Sequence, residues 1–241
     1  DSNEHAGVFR YVEEDTMKQM TSWIVGRYMN VEPLIKNVVI KKLDNDPKSL
    51  RQTLCYEVSF KQSTLRVTIT LDKGSRQINY HVACDWEEIG RVNQFIPQLN
   101  FYLPLSYEPN TFKYDVPMGI VERKPMEQDA PGNSFIFGEK QEGTGRGIML
   151  ITESKYGFRG TQQSIATTLL RGSYDPDPYP EIDTHEFSFA VRVTDANSNQ
   201  QLISEAEVYN YPLQVFSGKN QHGNLSTTGQ FIKLESDNMV I

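Results

Sequence analysis

Cysteine is scarce. Two in 241 residues exclude a disulfide-dense secreted scaffold. An excess of positive charge is missing too. Lys and Arg number 24 against 31 Asp and Glu, a net charge of −7, so nothing resembles the basic patch or stripe of a nucleic-acid binder. No apolar run approaches the ~18 residues that a membrane-spanning helix needs. The four histidines, His5, His81, His185 and His222, have neither HExxH nor H-x3-5-H spacing, and there is no CxxC. Nothing within the chain therefore reads as a metal centre. The Rossmann glycine pattern, the P-loop and βαβ alternation are also missing. The opening, DSNEHAG, has neither the basic n-region nor the apolar h-region of a secretory signal. What remains is 38% hydrophobic with 11% aromatics, too rich in core-forming residues for a disordered chain.

The first stretch carries a helical pattern. Glu13, Glu14 and Asp15 precede Met17, Met20, Ile24 and Val25, with acids at the front as the helix dipole favours. This predicts a helix over 13–28, ended by Pro33. From about Asn37 the period becomes two. Leu54, Tyr56, Val58 and Phe60 alternate with polar neighbours, as do Leu65 to Leu71 and Ile78 to Trp86, the pattern of half-buried strands. Asp72-Lys73-Gly74-Ser75 reads as the hairpin loop, pairing Leu71 with Arg76, Ile69 with Ile78 and Val67 with Tyr80. Shorter strands follow at 98–103, 113–117, 119–123, 134–138, 147–152, 164–170 and 186–193. Gly and Pro punctuate them, as in a sandwich or barrel. A second helix is expected over 200–209, and closing strands at 231–234 and 239–241.

By alternation Cys84 shares the apolar face of its strand and Cys55 the polar face. A disulfide needs Cβ atoms about 4 Å apart, so two free thiols are expected, in keeping with a reducing compartment. His81 and Asp85 share the polar face, with Glu57 on a nearby strand. They offer either a sugar-epimerising surface or a solvated sheet face. Asp175, Asp177, Glu181 and Asp183 crowd a Pro-rich loop. Paired carboxylates can hydrolyse glycosides, but loop acids are more often simply solvated.

Longer motifs are more specific. Cys84-Asp85-Trp86-Glu87-Glu88 with Phe95-Ile96-Pro97-Gln98-Leu99, Tyr114-Asp115-Val116-Pro117-Met118-Gly119-Ile120-Val121-Glu122-Arg123, and Gly147-Ile148-Met149-Leu150-Ile151-Thr152-Glu153-Ser154-Lys155-Tyr156-Gly157-Phe158 resemble, in order, segments of the glycoside hydrolase family 38 α-mannosidases. Thr168-Leu169-Leu170-Arg171-Gly172, Tyr174-Asp175-Pro176-Asp177-Pro178 and His185-Glu186-Phe187-Ser188-Phe189-Ala190-Val191 continue the series. Met118 stands where that family usually has Phe, and Asp175 where it often has Pro.

The resemblance implies a mostly β chain: a large antiparallel β-sandwich of the galactose-mutarotase-like supersandwich type. Residues 1–34 would be a helical link to a missing catalytic part, and 35–241 the sandwich itself. It implies a longer parent, a zinc-dependent retaining α-mannosidase acting on α-mannosides or oligomannose. The catalytic residues and zinc ligands would lie outside this chain, so the fragment would be inactive alone. The partner would be the parent's own catalytic domain, with a homodimer compatible, no nucleic acid, no membrane, and a cytoplasmic location. Tyr156, Arg171 and His185 are the candidates for substrate contact. A guanidinium and a phenol hydrogen-bond sugar hydroxyls well. The structural alternatives are a turn-packing Tyr156, an Arg171 paired with Asp175 or Asp177, and a hydrogen-bonded turn His185. Two other readings stay open: a free-standing carbohydrate-binding module, and a mutarotase-like aldose epimerase using His81.

Overall fold

The computed structural model describes residues 5–179, 181–219, 222–224, 226, 228–230, 232, 233 and 235. Among these are fifteen strands and one α-helix. In chain order the strands are β1 (Val8–Glu14), β2 (Tyr28–Pro33), β3 (Val38–Asp44), β4 (Arg51–Phe60), β5 (Ser63–Asp72), β6 (Gln77–Trp86), β7 (Ile96–Pro104) and β8 (Phe112–Val116). They continue as β9 (Gly119–Arg123), β10 (Ala130–Pro131), β11 (Phe135–Glu139), β12 (Arg146–Thr152), β13 (Gly157–Thr161), β14 (Ser164–Arg171) and β15 (Asp183–Asp195), followed by helix α1 (Asn199–Asn210). Two sheets form. One has six strands in the order β10-β13-β14-β7-β1-β2, the other nine in the order β3-β4-β5-β6-β15-β12-β11-β8-β9. All pairings are antiparallel.

Alternation explains the packing between the sheets. Phe9 and Tyr11 of β1, Leu99 and Phe101 of β7, and Ile165 of β14 point inward from the six-stranded sheet. Leu65, Val67, Tyr80, Val82, Cys84, Trp86, Phe187 and Phe189 meet them from the other. At the centre Phe101 lies 4.6 Å from Phe189, 5.1 Å from Tyr80 and 5.4 Å from Phe9, ring centre to ring centre. A second core sits on the outer face of the nine-stranded sheet. There Phe135, Phe137, Met149 and Ile151 are covered by Leu202 and Ala206 of α1. That cover is why β11 and β12 are apolar on both faces, unlike the meander. Ser198 caps α1, its Oγ accepting the Gln201 N–H at 3.2 Å, as a helix start requires.

Three expectations need correction or bounding. The helix over 13–28, and with it the helical character of the described part of 1–34, is absent. Phe9 and Tyr11 alternate with Arg10 and Glu14, and β1 pairs along its whole length with β7, from Val8↔Tyr102 to Glu14↔Ile96. Residues 15–27 leave the sheet as a strap, which β2 ends by returning to pair with β1. A ladder buried on its core face outcompetes a short isolated helix, whose stability would itself depend on packing. The meander register is shifted by two: Leu71 pairs with Ile78, Ile69 with Tyr80 and Val67 with Val82. Arg76 instead binds Asp195 at 2.6 Å, and its carbonyl accepts the Val193 N–H. A shift of two keeps every side chain on its expected face. The expected strand 239–241 lies outside the described residues, and so do both ends of 231–234.

The edge strand β3 exposes Val38, Val39, Ile40 and Leu43. It also carries Lys41 and Lys42 and an irregular register between Ile40 and Lys42. These devices keep an open edge from recruiting another strand.

Candidate functional site

The outer face of the six-stranded sheet is polar, and it leads to the loop end of the sandwich. Its pivot is a bulge. Register between β14 and β7 slips between Thr168 and Leu170. Leu169 and Leu170 are therefore both buried in the core, and Arg171, three residues after Thr168, returns to the face that Thr168 occupies. Without the extra residue Arg171 would point into the core. Bulges re-aim side chains in this way.

On that face Arg171 lies across from Gln98, which lies across from Val12. Arg171 does not pair with Asp175 or Asp177. It forms a two-pronged ion pair with Glu14, Nε to Oε1 at 2.8 Å and Nη2 to Oε2 at 2.7 Å. Glu14 is fully buried, and the Arg171 side chain is 13% exposed. Glu14 also accepts from Gln98 Nε2 at 2.6 Å and from the Gly26 N–H at 2.8 Å. Position 26 requires glycine because a Cβ there would sit 2.5 Å from the Asp15 carbonyl, where the strap closes on itself. Arg171 Nη2 also donates to the Ile24 carbonyl at 3.2 Å. Its remaining nitrogen, Nη1, makes no hydrogen bond among the described residues.

The network continues inward along the sheet. Tyr28 donates to Gln98 Oε1 at 2.8 Å and accepts from Asn100 Nδ2 at 3.2 Å. The Arg159 guanidinium lies 3.5 Å above the Tyr28 ring and binds Asp129 at 2.8 Å. Asp129 also accepts from Thr168. Burial, and next the Asp129 charge, push the Tyr28 phenol far above its ordinary range, so it stays neutral.

Tyr156 stands immediately before β13, at the end where Gly157 pairs with Thr168. Its side chain is 60% exposed and its carbonyl is held by the Gly132 N–H. His185 belongs to the other sheet, opposite Cys84. Its Nε2 donates to the Glu181 carbonyl at 2.8 Å, which ties it into the local turn. Lys155 bridges the two. It lies beside Tyr156 and sets its ammonium 4.5 Å from the centre of the Phe187 ring, two residues past His185. Burial holds the Lys155 amine below its ordinary range. The fold thus gathers all three candidates at one end. Arg171 is fixed and retains a free donor edge, Tyr156 is open, and His185 is engaged.

Three of the acids in the ordered motifs have structural work. Asp115 accepts from the backbone N–H groups of Asn133, Ser134 and Phe135 and from the Ser134 hydroxyl. Glu88 accepts from the Gln62 N–H and the Ser63 hydroxyl, closing the β4–β5 turn above a fully buried Trp86. Asp175 binds the Met20 N–H at 2.7 Å through its side chain and the Ser22 N–H at 2.7 Å through its carbonyl. Among the described residues no three His, Cys, Asp or Glu side chains converge as a metal ion requires, so the residues present do not fit a zinc site.

Cys55 and Cys84 are free, and burial pushes the Cys84 thiol up to about 12, far from a reactive thiolate. His81 bonds Ser188 Oγ at 3.2 Å on an open sheet face. Asp85 is four residues along the same strand, about 13 Å away at strand rise, and Glu57 is engaged by Arg66 and Lys41 at 3.0 and 3.1 Å. Among the described residues, no helix is long and apolar enough to cross a membrane.

Most of the ordered motifs and most of the two-sheet architecture fall within one family match. The family model described as "Glycosyl hydrolases family 38 C-terminal domain" matches residues 7–179. The chain belongs to this family. Two solved structures share the family 38 fold with it at a TM-score of 0.70, each over 91% of the chain. One is a protein in glycosyl hydrolase family 38 from Enterococcus faecalis, 11% identical; the other is an alpha-mannosidase from Enterococcus faecalis V583, 12% identical. The chain spans 30% and 29% of their respective lengths. Among curated proteins no sequence matches it. The family match begins at residue 7 and so takes in β1, β2 and the strap, where the sequence pattern had pointed to a helix. The Glu14–Arg171 pair therefore lies wholly within the family 38 domain. The alternation Phe9-Arg10-Tyr11 breaks at Val12-Glu13-Glu14, so no sequence signal placed Glu14 on a strand, and Asp129 and Arg159 carried none either.

Proposed function

We propose that this domain completes the substrate pocket of a zinc-dependent retaining α-mannosidase that hydrolyses terminal α-mannosides, and that it is inactive by itself. The family assignment over residues 7–179 carries the reading. The nucleophile and the zinc ligands belong to the remainder of the parent polypeptide, a cytoplasmic enzyme in this reading. The domain's own contribution is positional. Glu14 fixes Arg171 with two charge-assisted bonds, so the Nη1 donor edge is already oriented when a sugar hydroxyl arrives. Tyr156 adds a second donor and acceptor at the same end of the sheet.

The test is a zinc-loaded assay of the full-length polypeptide on an aryl α-mannoside. Turnover that a chelator abolishes and zinc restores is expected, with none from the 241-residue chain alone. Turnover by that chain alone, or none by the full-length polypeptide, overturns the reading. Arg171→Lys keeps the charge but loses the planar fork. It is expected to lower kcat/KM by about tenfold to a hundredfold, which corresponds to one or two lost hydrogen bonds to a charged group. Assay well below the unfolding temperature separates this from lost stability. An unchanged kcat/KM would leave Arg171 a purely structural residue.

A further inference from the structure

The strap over residues 15–27 is tied down by its backbone and exposes its apolar side chains. Asp15 N–H bonds the Arg27 carbonyl and Gly26 N–H bonds Glu14. Met20 and Ser22 N–H bond Asp175, and Thr21 Oγ1 accepts the N–H groups of Tyr174 and Asp175 at 3.2 and 3.1 Å. Yet Met17 is 85% exposed and Trp23 71%, with Met20 and Ile24 also exposed. The neighbouring loop behaves alike. Gly90 N–H bonds the Gly172 carbonyl at 2.9 Å, while Ile89 and Val92 face solvent. Both loops are anchored on the same stretch, Gly172–Asp175, directly after Arg171. Six large apolar side chains on a hydrogen-bonded backbone form a surface whose backbone is already ordered before any partner arrives, so that only side-chain ordering remains to be met on docking. Trp and Met are side chains that protein interfaces favour. The exposed apolar residues of β3 differ: they sit on an edge guarded by Lys41, Lys42 and a register break.

We propose that this surface docks the remainder of the parent polypeptide, with Trp23 as the anchor and the free edge of Arg171 at its border. The proposal rests on the reading of the chain as one part of a longer α-mannosidase. The occupant follows from length: the solved family structures are chains of which this one spans 30% and 29%. More than two thirds of such a chain must therefore pack somewhere on or beside this domain. An aliphatic and thioether-rich surface also suits a protein partner better than a glycan, which would ask for polar groups around the indole.

Methionine oxidation reads the surface directly. The full-length polypeptide is pulsed with hydrogen peroxide, native and unfolded in guanidinium, and sulfoxide is quantified by peptide mass spectrometry. Met149, fully buried in the second core, is the protected control. Met17 and Met20 are expected to oxidise at least tenfold more slowly in the native polypeptide than in the unfolded one. Trp23→Ser is expected to raise the native rates at both at least threefold. Native rates within twofold of the unfolded rates overturn the proposal. Protection that disappears on dilution assigns the surface to a second copy, and protection that appears only with saturating α-mannoside assigns it to substrate; either overturns it. Unchanged protection in Trp23→Ser removes Trp23 as anchor. The readout needs no activity, so a polypeptide that shows the protection but turns over no α-mannoside overturns the functional reading and leaves the docking surface standing.

Discussion

Glu14→Gln is expected to destabilise the fold by about 3–5 kcal/mol, the usual cost of removing one partner from a buried ion pair. The carboxylate meets four donors: Arg171 twice, Gln98 Nε2 and the Gly26 N–H. An amide keeps one acceptor oxygen, turns a donor toward donors and leaves the Arg171 guanidinium buried without a counter-charge. Urea unfolding at 25 °C should show a lowered midpoint with an unchanged slope. In Glu14→Gln/Arg171→Met the orphaned charge is gone, and the double variant should lose less than the sum of the singles by about 1–3 kcal/mol, the coupling found for contacting groups. A single-variant loss below about 1 kcal/mol would mean that water reaches the pair and that the strap opens readily, since exposed pairs contribute only that much.

Phe101→Ala should cost a similar ~3–5 kcal/mol by a different route. Phe101 is fully buried and touches aromatic rings from both sheets. Truncation removes apolar contact and leaves a cavity. The hole cannot collapse, because Phe101 sits on β7 between β1 and β14, and both ladders hold the backbone in place. Phe101→Leu, nearer in volume, should cost less than about 1.5 kcal/mol. The same urea titration checks both. Equal losses for Ala and Leu would show that ring geometry matters there more than volume.

The two variants probe parts of the molecule that differed in how readable they were. Phe101 sits in a run of alternating residues, and its inward orientation follows from period two. The meander was legible for the same reason, down to the face of each side chain. Its register was not, because a slip of two residues costs nothing in alternation. What set it was Arg76 leaving the β5–β6 ladder for Asp195 and Val193, residues more than a hundred positions away. The apolar runs of β11 and β12 were readable as strands, but their burial on both faces depends on α1. Tyr156, Arg171 and His185 came from the resemblance and not from any pattern of their own, and the fold sets them at one end of the sandwich. Arg171 was linked to the nearby acids Asp175 and Asp177, whereas its partner is Glu14, 157 positions away.

The sequence by itself determined that the chain is a many-stranded β domain, which faces its strands present, and through its ordered motifs which family it joins. Those are local properties: alternation is imposed by the pleat of a single strand and punctuation by the backbone preferences of Gly and Pro. The tertiary structure alone decided that residues 8–14 form a strand, that a bulge turns Arg171 onto the polar face, and that Glu14 receives it beneath a pinned strap. Each depends on which distant segments meet when the two sheets close. A helical spacing of Met17, Met20, Ile24 and Val25 has force only where a surface is present to bury it. The surface that was present paired β1 with β7 and left the strap's apolar side chains facing outward.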